Sequence, residues 1–266
     1  MRADGTSFAF VNGAACRFDL RRRGEGTLVL VHELGGSLDS WEALLPLLDE
    51  RPTILRYDLR GAGMSQKARG INDLDTLADD IAALADLCGL AGPLTLVGAA
   101  MGAAVAVRFA TRHPSRAKAL VLLGPALGVP AERREASRQV VEAIEAGGMS
   151  AIADAVLPRA FPEELWSDLE AKDLALARWF GADPEGYAAN YRVLIEHDLR
   201  PELDQVECPT LVLAGVHDPF GPPDSLEAGT ARLRQRRFVA VEAGHFMAVQ
   251  SPGVVADAVR GWLEAG

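Results

Sequence analysis

The stretch LTLVGAAMG, residues 94–102, decides the fold, together with the run of small residues that follows it to position 110. The apolar residues 94–97 predict a short buried strand, and the pattern over 102–113 predicts a helix. Gly98 and Gly102 stand two residues either side of Ala100, and glycines there allow a sharp turn with closely packed backbones. The stretch therefore predicts a strand, a tight turn and a helix, with Ala100 at the tip of the turn.

Outward from this unit, strand-like and helical patterns alternate along most of the chain. Residues 7–11 and 14–21 predict a hairpin that turns at Asn12 and Gly13. Further strands are predicted over 27–31, 53–57, 119–123, 210–214 and 238–241, and further helices over 41–48, 74–88, 224–233 and 253–264. Because such alternation is typical of α/β proteins, we expect a mainly parallel central sheet flanked by helices.

One region, residues 130–205, contains helical patterns but no strand-like run. We interpret it as a helical cap (a lid) over the carboxyl edge of the sheet, inserted between core segments 1–129 and 206–266. It holds many of the aromatic residues, which suit an apolar pocket; a helical flank that packs elsewhere is the alternative. The candidate pocket residues from this region are Trp166, Trp179, Phe180, Tyr191 and His197.

Composition excludes several classes of function. The chain has 266 residues, of which 49% are hydrophobic and 24% charged, and its formal net charge is −10. An acidic chain is a poor ligand for nucleic acid or anionic membranes, and neither a membrane span nor a signal segment is predicted. Cys16, Cys88 and Cys208 lack metal-ligand spacing and predict free thiols in the cytoplasm. We expect no metal, no cofactor, a small-molecule substrate, and a monomer or homodimer.

Four more stretches carry a resemblance to a known family. They are HELGG at 32–36, DLRGAGMS at 58–65, GVHDPFGP at 215–222 and EAGHF at 242–246, each following a predicted strand. With the 98–102 turn, which matches the G-x-S-x-G nucleophile elbow except at its centre, the chain resembles the α/β-hydrolase fold family, and within it the lidded esterase and enol-lactonase branch. The resemblance implies a cofactor-free hydrolase of a small carboxylic ester, lactone or enol-lactone.

Two residues carry the expected acid–base chemistry. His245 and Asp218 each follow a late strand, at the edge where open α/β sheets bind ligands. A carboxylate bonded to the imidazole would fix its tautomer and raise the basicity of its other nitrogen. A solvent-exposed loop histidine and an ordinary turn carboxylate are the alternatives. The backbone N–H groups of Leu34 and Met101 are the expected oxyanion hole.

Loop residues beside these groups are further pocket candidates. His32 and Glu33 come directly after the third strand, and Phe246 follows the predicted catalytic histidine. The family pattern usually has glycine at position 33. We expect the Glu33 carboxylate either to pair with a cation such as Arg60 or to act in the pocket as a base or proton carrier, since an unpaired buried charge is costly.

Ala100 is the departure on which the function depends, because a methyl group cannot form an acyl intermediate. Either the chain is an inactivated variant of a serine enzyme, or alanine is native. With native alanine, His245 and Asp218 would serve as a general base, with or without Glu33, for direct attack by water or for proton abstraction. A third hypothesis is a non-catalytic small-molecule binder that has kept the pocket.

Overall fold

The computed structural model describes residues 5–48, 52–67, 72–166 and 168–265. In these residues eight strands form one sheet in the order β1-β2-β4-β3-β5-β6-β7-β8. The β1–β2 and β2–β4 pairs are antiparallel, and the other pairs are parallel. The strands are β1 Gly5–Val11, β2 Ala14–Arg21, β3 Thr27–Val31, β4 Thr53–Tyr57, β5 Leu94–Ala99, β6 Ala117–Leu123, β7 Thr210–Gly215 and β8 Arg236–Val241.

Helices cover both faces of this sheet, and the predicted α/β architecture is confirmed. The helices are α1 Leu74–Leu87, α2 Met101–Arg112, α3 Arg134–Gly147, α4 Ala153–Ala160, α5 Leu169–Phe180, α6 Pro184–Glu196, α7 Pro223–Gly229, α8 Met247–Gln250 and α9 Pro252–Ala265. One core cluster joins the sheet to α1 and α2, and a second joins its other face to α8 and α9. Among the helices of the described residues, none has both the length and the apolar character of a membrane span.

The helix predicted over 41–48 is wrong. Two short 3-10 turns stand there instead, Leu38–Trp41 and Leu45–Leu47. Ser37 caps the first turn through its side chain, and Pro46 lies within the second. Because proline lacks an N–H and its ring crowds the preceding turn, it disfavours a continuous α-helix through this position. Trp41 remains fully buried in the core.

Close backbone packing fixes the turn between β5 and α2. A Cβ atom at Gly102 would lie 2.0 Å from the Val31 carbonyl oxygen, and one at Gly98 would lie 2.4 Å from the Gly102 carbonyl oxygen. These distances leave no room for a side chain at either position. Both glycines therefore serve the close approach of α2 to β5 and β3, which brings the start of α2 to the carboxyl edge of the sheet.

The segment 130–205 contributes α3 to α6 and short 3-10 turns, and it contacts the loops that follow β3 and β4. The Asn190 side-chain amide donates to the Arg60 carbonyl oxygen at 2.9 Å, and Arg178 Nη1 donates to the Asp39 carbonyl oxygen at 3.0 Å. A Cβ atom at Gly186 would lie 1.9 Å from the Gly61 carbonyl oxygen, so that the two backbones touch. These contacts hold the helices over the carboxyl edge of the sheet, and we call this segment the cap.

Candidate active site

The turn at Ala100 keeps a strained conformation. Its φ is 46° and its ψ is −107°, and among the described non-glycine residues only Asn12 shares a positive φ. A left-handed conformation costs an alanine about 1–2 kcal/mol. Strand β6 and the loop after it hold it in place: the Ala100 N–H donates to the Leu123 carbonyl oxygen, and the Ala126 N–H donates to the Ala100 carbonyl oxygen. The backbone geometry of a nucleophile elbow is therefore present without a nucleophile.

Asp218 and His245 meet at the loops that follow β7 and β8. Their Oδ2 and Nδ1 atoms are 2.9 Å apart, and Asp218 is only 2% exposed. Since a carboxylate accepts, Nδ1 carries the proton and Nε2 keeps a lone pair. Adjacent strands supply both loops, which is why residues 27 positions apart come into contact.

The surroundings of Asp218 favour its ionised form. Burial by itself would raise the pKa of this carboxyl, but the hydrogen bond and charge of His245 lower it, and so do two backbone donors. The N–H groups of Phe220 and Gly221 both donate to Oδ1, at 2.8 and 3.2 Å. The net effect is a pKa below the ordinary value of aspartate, so Asp218 can hold and stabilise a protonated imidazole.

Aromatic rings surround the His245 imidazole. The Phe220 ring lies 4.8 Å from it, centroid to centroid, and the Phe246 ring approaches edge-on at 5.3 Å. From the cap, the Arg159 guanidinium lies 4.8 Å from the centre of the Phe220 ring. These contacts and the bond to Asp218 restrict the rotation of the imidazole.

The two expected oxyanion donors occupy suitable backbone positions. Met101 is the first residue of α2, where N–H groups have no partner within the helix and the dipole favours negative charge. Leu34 lies in the loop after β3 and packs partly against the core. Among the hydrogen bonds between described residues, none uses the N–H of either residue. Both N–H groups are thus unpaired within the described part of the chain.

A cavity of about 270 Å³ lies between the cap and the loops after β3 and β4. Of the candidates from the sequence, Glu33, Trp179 and Phe246 line it. The side chains of Ala100, Asp218 and His245 do not line it. Phe246, which follows His245 directly, belongs to its wall. The cavity wall therefore extends to the residue whose ring contacts the His245 imidazole edge-on.

His32 lies in the interior and does not line the cavity. It is 1% exposed, and its Nδ1 is 2.7 Å from the Glu33 carbonyl oxygen, to which it donates. Its Nε2 accepts from the Leu59 N–H at 3.0 Å. Both ring nitrogens are occupied, and the side chain joins the loops after β3 and β4. The pocket role expected for His32 is not what the structure shows.

Four candidates from the cap also lie away from the cavity wall. Trp166 stacks on Phe161, and Phe180 is 45% exposed. The Tyr191 hydroxyl is 3.3 Å from the Ser137 hydroxyl, and His197 follows the last turn of α6. Trp179 faces the cavity while its neighbour Phe180 faces outward, because successive helical residues point about 100° apart.

The cavity wall contains further residues, among which the sequence interpretation missed Asn190 and Arg17. Tyr187, Asn190 and Arg178 come from the cap, and Arg17 comes from β2. Arg17 Nε lies 2.7 Å from Asp58 Oδ2, and its Nη2 lies 2.6 Å from Asp39 Oδ2. The sequence does contain one indication of this role, because position 17 places a charged residue in the middle of a predicted strand. The loops after β3 and β4 are both tied to this guanidinium.

Glu33 does not pair with Arg60, and that expectation is wrong. Arg60 binds the Asp80 carboxylate at 2.6 Å instead. Glu33 is 4% exposed, and its Oε1 accepts from the Ser40 hydroxyl at 2.7 Å. The carboxyl is therefore a buried part of the cavity wall. No group of three or more His, Cys, Asp or Glu side chains in the described ranges is arranged to hold a metal ion.

Comparison with known proteins identifies the family. Residues 26–162, just over half of the chain, match the family model of the α/β hydrolase fold, and this chain belongs to that family. The 3-oxoadipate enol-lactonase 2 of Acinetobacter baylyi is 27% identical over 238 residues, which are 88% of this chain and 86% of that protein.

Two solved structures are similar over nearly their full length. A thermophilic esterase from Thermogutta terrifontis, with malate bound, superposes with a TM-score of 0.90 at 30% identity, covering 98% of each chain. The enol-lactonase from Burkholderia xenovorans superposes with a TM-score of 0.88 at 29% identity, covering 97% of this chain and all of that one. Both similarities include the cap as well as the core.

Proposed function

We propose that this chain is a cofactor-free hydrolase of a small carboxylic ester or lactone, with enol-lactones included, and that His245 with Asp218 is its base. The observation that carries the proposal is the 2.9 Å contact between these two side chains beside the elbow at Ala100. The esterase and enol-lactonase named among the similar proteins support the same class of substrate. Leu34 and Met101 are the proposed oxyanion donors.

Ala100 dictates the route. In the unaltered chain the Nε2 atom of His245 would take a proton from water, and the water oxygen would form the new bond to the carbonyl carbon. The carbonyl oxygen becomes negative and would accept from the N–H groups of Leu34 and Met101. When the intermediate collapses, the bond to the leaving oxygen breaks, and that oxygen takes the proton from His245. The products are one carboxylic acid and one alcohol, or a single hydroxy or keto acid from a lactone.

Restoring the hydroxyl tests the serine form of this function. In the Ala100→Ser variant we expect hydrolysis of short p-nitrophenyl esters to rise by about 10³-fold or more, because loss of a serine nucleophile costs at least this much in other enzymes. The matched control is the Ala100→Ser, His245→Ala double variant, which should lose the gain. No gain in a folded Ala100→Ser protein would contradict the serine form.

The water route of the unaltered chain is tested separately, because it needs only the base and the two proposed backbone donors and not the hydroxyl. It predicts measurable turnover of an activated enol-lactone or thioester by the chain as it stands. His245→Ala should then lower the rate by about 10²–10⁴-fold, the usual contribution of a general base. If neither the unaltered chain nor Ala100→Ser turns over any ester, both enzymatic forms fail, and the binder hypothesis is what remains.

A further inference from the structure

The loop after β3 is built around the Glu33 side chain. A Cβ atom at Gly36 would lie 2.3 Å from Glu33 Oε1 and 2.8 Å from the Ser40 hydroxyl oxygen. The φ of Gly36 is not positive, so its backbone conformation does not by itself call for glycine. The absence of a side chain at 36 therefore makes room for the carboxyl, and Ser40 directs a hydroxyl at it.

This carboxyl has no cation among the described residues. The nearby arginines are used elsewhere: Arg17 by Asp58 and Asp39, and Arg60 by Asp80. Arg178, across the cavity, donates to the Asp39 carbonyl oxygen. A carboxylate can accept about four hydrogen bonds, and the described residues supply one, from Ser40. Burial of a polar group with unfilled hydrogen-bonding capacity is costly.

We propose that Glu33 selects the ligand, by accepting a hydrogen bond from a hydroxyl or ammonium group carried by the ester or lactone. The proposal rests on the proposed function, because it takes an ester-type ligand as the occupant of this cavity. Glu33 and Ser40 both line the cavity, so a donor on the ligand meets a preformed acceptor. Apolar wall residues such as Trp179 and Phe161 contact the rest of the ligand.

The shared chemistry of the two ligand types is a hydrogen-bond donor placed near the carbonyl group. A hydroxyl group needs only an acceptor oxygen, whereas an ammonium group also needs the negative charge. Replacing Glu33 by glutamine keeps an acceptor oxygen and removes the charge, and replacing it by leucine removes both. The two variants therefore distinguish the two ligand types.

The test measures binding of three esters that differ in one substituent: ethyl butanoate, ethyl 3-hydroxybutanoate and ethyl 3-aminobutanoate. Titration calorimetry in the His245→Ala background avoids turnover, and the fluorescence of Trp179 in the cavity wall is a second signal. With Glu33 present we expect one substituted ester to bind about tenfold or more tightly than ethyl butanoate, the usual size of a hydrogen bond to a buried charged group. Glu33→Leu should abolish this preference, and Glu227→Gln, an exposed glutamate on α7, should leave it unchanged.

The Glu33→Gln variant identifies the donor: a hydroxyl preference should survive in part, and an ammonium preference should disappear. Equal binding of all three esters, or a preference that persists in a folded Glu33→Leu variant, would overturn the inference and leave the proposed hydrolase intact. A fall in kcat for Glu33→Gln in the Ala100→Ser background, with ester affinity unchanged, would overturn it in favour of proton transfer. If none of the esters binds, the inference fails, whereas the proposed function is judged separately by ester turnover in the Ala100→Ser variant.

Discussion

Two loops at the carboxyl edge depart from the family pattern in opposite ways. At the elbow after β5, the backbone keeps a left-handed turn at Ala100 and the reactive side chain is missing. In the loop after β3, a carboxyl has been added at Glu33, and Gly36 makes space for it. At the elbow the backbone position is set by packing of the core, whereas in the β3 loop a glycine is matched to a buried side chain. Changes at the two loops should therefore have different consequences.

The largest effect, a fall in kcat, should come from changing the Asp218 partner of the His245 base. In the Ala100→Ser background, Asp218→Asn should lower kcat by about 10⁴-fold, because the amide favours the wrong tautomer of His245. Ester hydrolysis measured at several pH values checks this expectation. Asp224→Asn, at the exposed start of α7, is the matched control. Equal activity of Asp218→Asn and its parent would mean that the 2.9 Å contact is not catalytic.

Next in size is a change to the backbone of the elbow. Gly102→Ala would place a Cβ atom 2.0 Å from the Val31 carbonyl oxygen, so α2 would have to move away from β3. We expect a loss of about 2 kcal/mol or more in the free energy of unfolding, within the range for overpacked cores. Urea denaturation followed by circular dichroism measures it. Gly253→Ala, where the added Cβ atom would meet no atom within 4 Å, is the control; similar losses in both variants would argue against the packing explanation.

The β3 loop should show coupling between two of its own residues. Gly36→Ala alone should destabilise the fold by about 1–3 kcal/mol, because the new methyl group collides with the Glu33 carboxyl. In the Glu33→Ala background the same change should cost less, since the closest colliding group is gone and only the Ser40 hydroxyl remains near the new methyl group. A double-mutant cycle in urea measures this coupling. If the two changes in the free energy of unfolding simply add, the lack of a side chain at Gly36 is not what makes room for the Glu33 carboxyl.

The smallest effect should come from relief of strain at position 100. Ala100→Gly should raise the free energy of unfolding by about 1 kcal/mol, because glycine adopts positive φ without a steric penalty. Thermal or urea unfolding checks this change. Ala126→Gly, at a neighbouring position whose φ is not positive, should instead be neutral or destabilising. If Ala100→Gly lowers the free energy of unfolding as much as Ala126→Gly does, the backbone of Ala100 is not strained.

Much of the fold was predictable because buried parallel strands read as short apolar runs. The strands predicted over 27–31 and 53–57 match β3 and β4, and those over 94–97 and 238–241 fall inside longer β5 and β8. The helix over 41–48 failed because Pro46 breaks a pattern that is otherwise helical. The pattern of apolar residues predicts buried strands well. It does not take into account that a single proline, which lacks an N–H, can interrupt a helix whose other residues fit the helical pattern.

The site was less predictable, because its wall comes from distant elements. The contact between Asp218 and His245 was anticipated from a general rule, that neighbouring parallel strands end at one edge. No comparable rule predicts the ion pair between Arg17 on β2 and Asp39 in the loop after β3. Within the cap, aromatic content indicated a pocket, but only the helix orientation decides that Trp179 contributes to it and Phe180 does not.

The strained turn at Ala100 also has an evolutionary consequence. Alanine and serine codons differ at a single nucleotide, so the hydroxyl of a working nucleophile lies one base change from this gene. The strained part of a nucleophile elbow, a residue with positive φ between β5 and α2, is already present in this chain. The backbone that a covalent nucleophile needs would therefore not have to be rebuilt.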